Sequence, residues 1–96
     1  DVTPPTLRPL NFKNNGVVKG NTLKVAMSDN LTGIASWSAS INGQWVLFEY
    51  EPKNHTLTFN FDDIDTTKVD TYQLEMSATD GGGNIQRLSA TVIKRD

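Results

Sequence analysis

Two polar loops of the chain carry side chains of the types that bind calcium. Asp29 and Asn30 lie in the first loop, and Asp80 and Asn84 lie in the second. Calcium takes about six to eight oxygen ligands from carboxylates, amides and backbone carbonyls, so these four residues could form a weak site if the loops meet. The alternative is that each side chain caps its own turn. We favour turn capping, because neither loop has the ligand spacing of an EF-hand.

A second acidic group lies further along the chain, and the same two interpretations apply to it. Its members are Asp62, Asp63, Asp65 and Asp70. They could bind a cation, but a solvated loop in which Asp62 or Asp63 caps a short helical turn is the interpretation we favour. Carboxylates that act in acid–base catalysis need a concave, partly dry site, and a loop this polar predicts none.

Nucleophilic and metal-dependent catalysis have little support in the residue inventory. The chain has no cysteine and a single histidine, His55, so it cannot form a zinc site based on several histidines. His55 also has no serine in a glycine-flanked turn of the kind that activates a hydroxyl. We therefore expect a surface histidine at the start of a strand, no cofactor and no enzymatic activity.

The third group is a surface on a predicted β-hairpin. Asn42-Gly43 lies between two alternating segments, which is the strongest short-range signal for a two-residue hairpin turn. A type I′ turn pairs Ile41 with Gln44 and then Ala39 with Val46. Continued further, this register pairs Trp37 with Phe48 and Ala35 with Tyr50. One face of the hairpin is then apolar.

The opposite face of that hairpin is rich in serine but carries two large apolar side chains. Its predicted members are Ser36, Ser38, Ser40, Trp45 and Leu47. Large apolar residues on a polar face indicate a docking surface or a carbohydrate-stacking surface. The alternative is a different turn register, or a neighbouring segment, that hides Trp45. Between the two functional interpretations, we place contact with a neighbouring domain ahead of a glycan.

The elements that position these groups are short strands separated by turn residues. Alternation of apolar and polar residues predicts seven strands, and no segment has a helical period. The predicted strands are 6–12, 22–28, 34–41, 44–50, 55–61, 71–79 and 86–94. Pro9 places the first strand at a sheet edge. The pattern predicts an all-β, immunoglobulin-like antiparallel sandwich, with Trp37 facing inward and Tyr72 in position for a tyrosine corner.

Length and composition indicate one domain without a basic surface. The 96 residues form a single domain, with a linker-like entry at residues 1–5. The formal net charge of −2 and the scattered lysines and arginines argue against nucleic acid as a partner. No apolar run has the length of about 20 residues that a membrane-spanning helix needs.

Two turn motifs and the hairpin resemble a known family of modules. Residues 29–34 (DNLTGI) and 79–84 (TDGGGN) resemble turns of the Ig-like repeats of bacterial secreted and cell-envelope proteins. Residues 41–52 (INGQWVLFEYEP) resemble the C-terminal Ig-like module that follows lysostaphin-like zinc metallopeptidase domains in Bacteroidetes envelope proteins. Gly82 departs from the repeats, which usually carry a small residue other than glycine there.

The resemblance implies a location outside the cytoplasm and a supporting role. The peptidase of such a protein would lie upstream, and its zinc site cannot be carried over to a chain with one histidine. We therefore predict a non-catalytic accessory module that contacts a neighbouring domain, the cell wall or a glycan. Two alternatives stay open: a carbohydrate-binding module that uses the face of Trp45, and a calcium-binding adhesion or stalk repeat.

Overall fold

The computed structural model of the chain describes residues 4–28 and 33–95. These residues form nine strands and one short 3-10 helix, Phe61–Asp63. In chain order the strands are β1 Thr6–Pro9, β2 Gly16–Val18, β3 Thr22–Ser28, β4 Ile34–Ile41, β5 Gln44–Val46, β6 Glu49–Glu51, β7 Thr56–Asn60, β8 Thr71–Asp80 and β9 Ile85–Lys94. No helix among them has the length and apolar character required to cross a membrane.

The strands form two sheets that pack as a sandwich. One sheet has the order β1-β3-β7-β6, and the other has the order β2-β9-β8-β4-β5. Every pairing is antiparallel except that of β2 with β9, which is parallel. The arrangement confirms the predicted immunoglobulin-like sandwich, in which two such sheets enclose a common core. The short edge strands β2 and β5 extend the second sheet on both sides.

The core consists of the inward positions of both sheets, as the alternation of residues predicts. Leu23, Val25 and Met27 on β3 are fully buried, and so are Leu74 and Ala78 on β8. Four aromatic rings also run through the core, with successive centroids 5.4 Å apart, in the order Phe48, Phe59, Phe61 and Tyr72. Contacts between rings at this distance add to the stabilisation from burial alone.

Tyr72 forms the predicted tyrosine corner. Its ring is buried at the start of β8, and its hydroxyl donates a hydrogen bond of 2.8 Å to the Val69 carbonyl, three residues upstream. Trp37 is half-buried and packs against the core, with its ring 5.4 Å from that of Tyr50. The Trp37 indole N–H donates to the Phe48 carbonyl at 3.2 Å. This bond ties β4 to the segment where the chain leaves the sheet.

The long second arm predicted for the hairpin is wrong, because the chain changes sheets. β5 ends at Val46, and the next strand, β6, pairs with β7 in the other sheet. Trp37 therefore does not pair with Phe48, nor Ala35 with Tyr50. Ala35 is exposed rather than inward, because a register shift between Ile34 and Ser36 displaces it from the alternation.

The entry of the chain also differs from the prediction. The first predicted strand, 6–12, ends at Pro9, and the chain then crosses to the other sheet and forms β2 beside β9. Of the linker-like entry at residues 1–5, residues 1–3 lie outside the described residues, and Pro4 is exposed. Pro5 is buried and belongs to the packed domain.

Candidate functional site

The hairpin turn places Trp45 on the outside of the five-stranded sheet. Asn42 and Gly43 have φ values of 51° and 82°, the left-handed geometry of a type I′ turn. The predicted pairs Ile41 with Gln44 and Ala39 with Val46 are both present. Trp45 consequently lies opposite Ser40, with 69% of its surface exposed. The register that would have hidden it is excluded.

The side chains around Trp45 come from three neighbouring strands. They enclose a shallow depression of about 300 Å³ on the sheet. We call its six outward-facing side chains the tryptophan face: Trp45, Ser38, Ser40, Glu75, Ser77 and Arg87. Ser36, the remaining predicted serine, is exposed one row further along β4, where it pairs with Thr79.

Leu47 does not belong to this surface, although the sequence placed it beside Trp45. It is 55% exposed and lines a separate depression with Thr58 and Asn60, on the outer side of the four-stranded sheet. Because the chain changes sheets between Val46 and Glu49, the alternation that relates Trp45 to Leu47 no longer describes a single sheet. Trp45 is therefore the one large apolar side chain of the tryptophan face.

Glu75 and Arg87 are the members of this face that the sequence did not reveal. Both lie on predicted strands, β8 and β9. They come next to the serines only because β8 pairs with β4 and β9 pairs with β8. Glu75 pairs with Ser40 and with Ser89, whereas Arg87 pairs with Ser77. The alternation alone gives no signal for which strands are neighbours.

Hydrogen bonds hold the Glu75 carboxylate in place. Ser89 Oγ donates to Glu75 Oε2 at 2.5 Å, and Gln73 Nε2 donates to Oε1 at 3.2 Å. Gln73 is itself held by Thr91, whose hydroxyl donates to Gln73 Oε1 at 2.6 Å. A carboxylate offers about four acceptor positions, so two of those on Glu75 remain open to an incoming donor.

Arg87 and the serines supply donors and acceptors beside that carboxylate. Ser38 Oγ and Ser77 Oγ lie 3.1 Å apart and share one hydrogen bond. Arg87 is exposed, and its guanidinium has no hydrogen-bond or ion-pair partner among the described residues. A guanidinium carries five N–H donors, so the face combines an aromatic ring with hydroxyl, carboxylate and guanidinium groups.

Of the two loops considered for calcium binding, the structure describes the one that contains Asp80 and Asn84. The Asp80 carboxylate is hydrogen-bonded within that turn. Asp80 is buried, and its Oδ1 accepts hydrogen bonds from the backbone N–H of Gly82 at 2.9 Å and of Asn84 at 2.8 Å. The Asn84 side-chain amide donates to Asp80 Oδ2 at 3.0 Å. The other two candidates, Asp29 and Asn30, lie outside the described residues.

These bonds also determine the acidity of Asp80. Burial by itself would raise the pKa of this carboxyl, but the hydrogen bonds from Asn84 and Gly82 outweigh burial and hold the pKa below its usual value. The carboxylate is thus ionised and satisfied within its turn. Asp80 and Asn84 therefore form the turn cap that we favoured from the sequence, and calcium binding stays an untested alternative.

The acidic loop that follows β7 has the character of a capped, solvated segment. It contains the expected helical turn, Phe61–Asp63, but the cap is Asn60, which accepts from the backbone N–H of Asp62 at 2.8 Å. The expectation that Asp62 or Asp63 provides the cap is wrong, because the helix begins at Phe61 and both aspartates lie within it. In the same loop, hydrogen bonds from the hydroxyl and backbone N–H of Thr67 lower the pKa of Asp65.

The remaining titratable candidate, His55, lies in a turn before β7. It is exposed, has a φ of 53°, and its Nδ1 is 3.2 Å from the Tyr50 hydroxyl. The strand begins at Thr56 rather than at His55. Over residues 4–28 and 33–95, no three His, Cys, Asp or Glu side chains come close enough together to hold a metal ion.

A larger depression, of about 680 Å³, lies where the chain crosses from β1 to β2. Leu10 and Val17 are exposed there at 44% and 48%, and Phe12 forms its buried wall. Lys13 and Lys19 stand at its rim. It is mainly apolar and lacks the carboxylate and hydrogen-bonded side-chain network of the tryptophan face.

Comparison with known proteins identifies the fold and leaves the function open. Neither a protein-family model nor a curated protein sequence matches the chain. The whole chain superimposes on 21% of the endo-beta-1,4-mannanase from Thermotoga petrophila, with 14% identity and a TM-score of 0.71. It also resembles CopC from Methylosinus trichosporium OB3b, at 17% identity and a TM-score of 0.58, with 95% of this chain and 97% of that one covered. These likenesses show a shared fold.

Proposed function

We propose that the chain is a non-catalytic accessory module of a larger bacterial envelope or secreted protein, and that it contacts its target through the tryptophan face. The observation that carries this proposal is the 69% exposure of Trp45 on a face that otherwise consists of small hydroxyl and charged side chains. A large aromatic side chain left in water lowers stability relative to burial, so its exposure on a rigid sheet favours a binding role.

The rigid frame around Trp45 supports this role. Trp45 lies on the short strand β5, which is held by the type I′ turn on one side and by the crossing to the other sheet on the other side. The hydrogen bond from Trp37 to the Phe48 carbonyl fastens that crossing. A site on regular strands keeps its geometry better than a site on loops.

The accessory role and its context have two further supports. The matched region of the mannanase is about a fifth of that chain, so this fold occurs there as one part of a longer protein. The resemblance of residues 41–52 to modules that follow lysostaphin-like peptidase domains favours a location outside the cytoplasm, beside such an enzyme.

A non-catalytic role is favoured by the state of the titratable side chains. Asp80 is hydrogen-bonded within its own turn, and Asp65 is bonded to Thr67. His55 lies next to Tyr50 and not next to a serine nucleophile. The carboxylate of the tryptophan face, Glu75, is exposed on an open sheet, which is not the partly dry site that acid–base catalysis needs.

Co-sedimentation with bacterial cell envelopes tests the proposed function. Wild-type protein is incubated with envelopes from a Bacteroidetes species, and the bound fraction is compared with that of Trp45→Ala. We expect Trp45→Ala to lose most of the binding. Leu47→Ala is the matched control, since it removes an exposed apolar side chain that is two residues away and lies beside the other sheet. Equal binding of the wild type and Trp45→Ala would contradict the proposal.

A further inference from the structure

The register of the five-stranded sheet places an aromatic ring and a fixed carboxylate in one row. Trp45 is opposite Ser40, Ser40 is opposite Glu75, and Glu75 is opposite Ser89. With neighbouring strands about 4.8 Å apart, Trp45 and Glu75 start from backbones separated by roughly 9.6 Å. Ser40, which has a small side chain, lies between them in this row.

From this row we propose that the tryptophan face binds an uncharged glycan, with a sugar ring stacked on Trp45 and its hydroxyls bonded to Glu75. The inference rests on the proposed function and adds the chemical class of the ligand. The face of an indole ring carries partial negative charge, which attracts the C–H groups on the flat side of a pyranose. The carboxylate then accepts hydrogen bonds from the hydroxyls at the edge of the sugar ring.

The hydrogen bonds on the sheet prepare Glu75 for that role. Ser89 and Gln73 each occupy one of its acceptor positions, and Thr91 fixes Gln73. The carboxylate therefore loses little rotational freedom when a ligand binds, which lowers the entropic cost of association. Hydrogen bonds to an ionised acceptor are roughly twice as strong as those between neutral groups.

The charges of the face favour a ligand without net charge. The depression contains one carboxylate, Glu75, and one guanidinium, Arg87, on adjacent strands. Their formal charges cancel, so an ionic ligand gains no net attraction from the pair. A polyhydroxyl ligand, in contrast, can donate to the carboxylate and accept from the guanidinium and the serines.

A protein partner is disfavoured by the same composition. Protein–protein interfaces are enriched in aromatic side chains, methionine and arginine, and they are depleted in glutamate and serine. On the tryptophan face, the neighbours of Trp45 include three serines and Glu75, and Leu47 lies away from it, beside the outer side of the four-stranded sheet. From the sequence, we placed a neighbouring domain ahead of a glycan for a face with two large apolar side chains, and the structure leaves one of them, Trp45, on that face.

Affinity electrophoresis in native gels tests the inference with purified polymers. The gels contain neutral β-glucan, β-mannan or xylan, or the charged polymers polygalacturonate and chitosan. We expect at least one neutral polymer to retard the wild type, with little effect of added salt. Trp45→Ala should abolish the retardation, and Glu75→Ala should weaken binding by about tenfold, the effect of losing one charge-assisted hydrogen bond.

Glu49→Ala is the matched control for the carboxylate. Glu49 is also an exposed glutamate on a strand, but it belongs to the outer side of the four-stranded sheet, where it pairs with Thr58. Its removal should leave retardation unchanged. Thermal melts of all three variants separate a binding defect from unfolding. Retardation only by charged polymers, or by no neutral polymer, overturns the glycan assignment.

Treated envelopes distinguish failure of this inference from failure of the proposed function. Periodate cleaves vicinal diols of sugars, whereas a protease removes protein. If Trp45-dependent co-sedimentation survives protease and is lost after periodate, the ligand is a glycan. If protease abolishes it and periodate does not, the tryptophan face still binds, but to a protein, and the glycan inference is wrong. If neither the untreated nor the treated envelopes bind through Trp45, both proposals fail.

Discussion

Removal of a single hydroxyl tests whether the tyrosine corner stabilises the sandwich. In Tyr72→Phe the ring keeps its contact with Phe61, 5.4 Å away, and the hydrogen bond to the Val69 carbonyl is lost. An intramolecular hydrogen bond contributes about 0.5–1.5 kcal/mol to stability. Because Val69 lies at the surface, water can solvate its carbonyl, so we expect a loss of about 1 kcal/mol. For a domain of this size, that loss lowers the melting temperature by about 4–8 °C.

Urea unfolding of Tyr72→Phe and of a control, Tyr50→Phe, tests whether the Tyr72 hydroxyl stabilises the domain. Tyr50→Phe also removes a tyrosine hydroxyl, which lies 3.2 Å from His55 Nδ1, but this contact is exposed to solvent. We expect it to change the free energy of unfolding by less than about 0.5 kcal/mol. Equal effects of the two substitutions, or no effect of Tyr72→Phe, would refute the reasoning. The m-value, which is the slope of the unfolding free energy against urea concentration, should equal that of the wild type because neither substitution changes the surface buried on folding.

Three further predictions concern the turns. Because hydrogen bonds lower the pKa of Asp80 in the folded state, its stabilising effect is present above the unfolded pKa of about 3.9 and is lost as the pH falls through the lower folded pKa. The stability gap between the wild type and Asp80→Asn in urea should therefore shrink below about pH 4. Gly43→Ala should destabilise by about 1–2 kcal/mol because φ is 82°, whereas Gly20→Ala, which has open space and no positive φ, should not. Thermal melts with calcium and with chelator should coincide, because Asp80 is already bonded within its turn; a rise of the midpoint with calcium would show binding to the folded state.

Much of the fold could be predicted because alternation and turn chemistry are local properties. The inward residues of β3, β7 and β8 follow from period two alone, and they are the buried residues. The hairpin turn follows from Asn42-Gly43, whose backbone has the expected positive φ values. The tyrosine corner follows from the position of Tyr72 at the start of its strand.

The predictions that were wrong concern features that depend on strands far apart in the sequence. β2 has three residues and exists because β9 provides a parallel neighbour, which no local pattern encodes. The alternation of residues continues past Val46 in the sequence, but the chain crosses to the other sheet there. Leu47, in the crossing, therefore faces away from the surface that carries Trp45. Ala35 is displaced by a bulge opposite β8.

The residues of the candidate site also divide into those that a local sequence signal predicts and those that depend on the order of strands. Trp45, Ser38 and Ser40 could be found from the hairpin, because their relative positions are fixed by one turn. Glu75 and Arg87 could not, because they join the face only through the order of strands within the sheet. Sequence reasoning thus located the aromatic ring and missed the charged groups that give the surface its chemistry.

The central claim, that Trp45 is the contact residue, can be tested most directly from the indole N–H signals in a nuclear magnetic resonance titration. The chain has two tryptophans, so it gives two such signals. Trp45 is exposed, whereas the Trp37 indole is bonded to the Phe48 carbonyl and serves as an internal reference. On addition of neutral polysaccharide, we expect the Trp45 signal to shift while the Trp37 signal stays in place. An unmoved Trp45 signal with every neutral polymer, or a shift confined to Trp37, would contradict it.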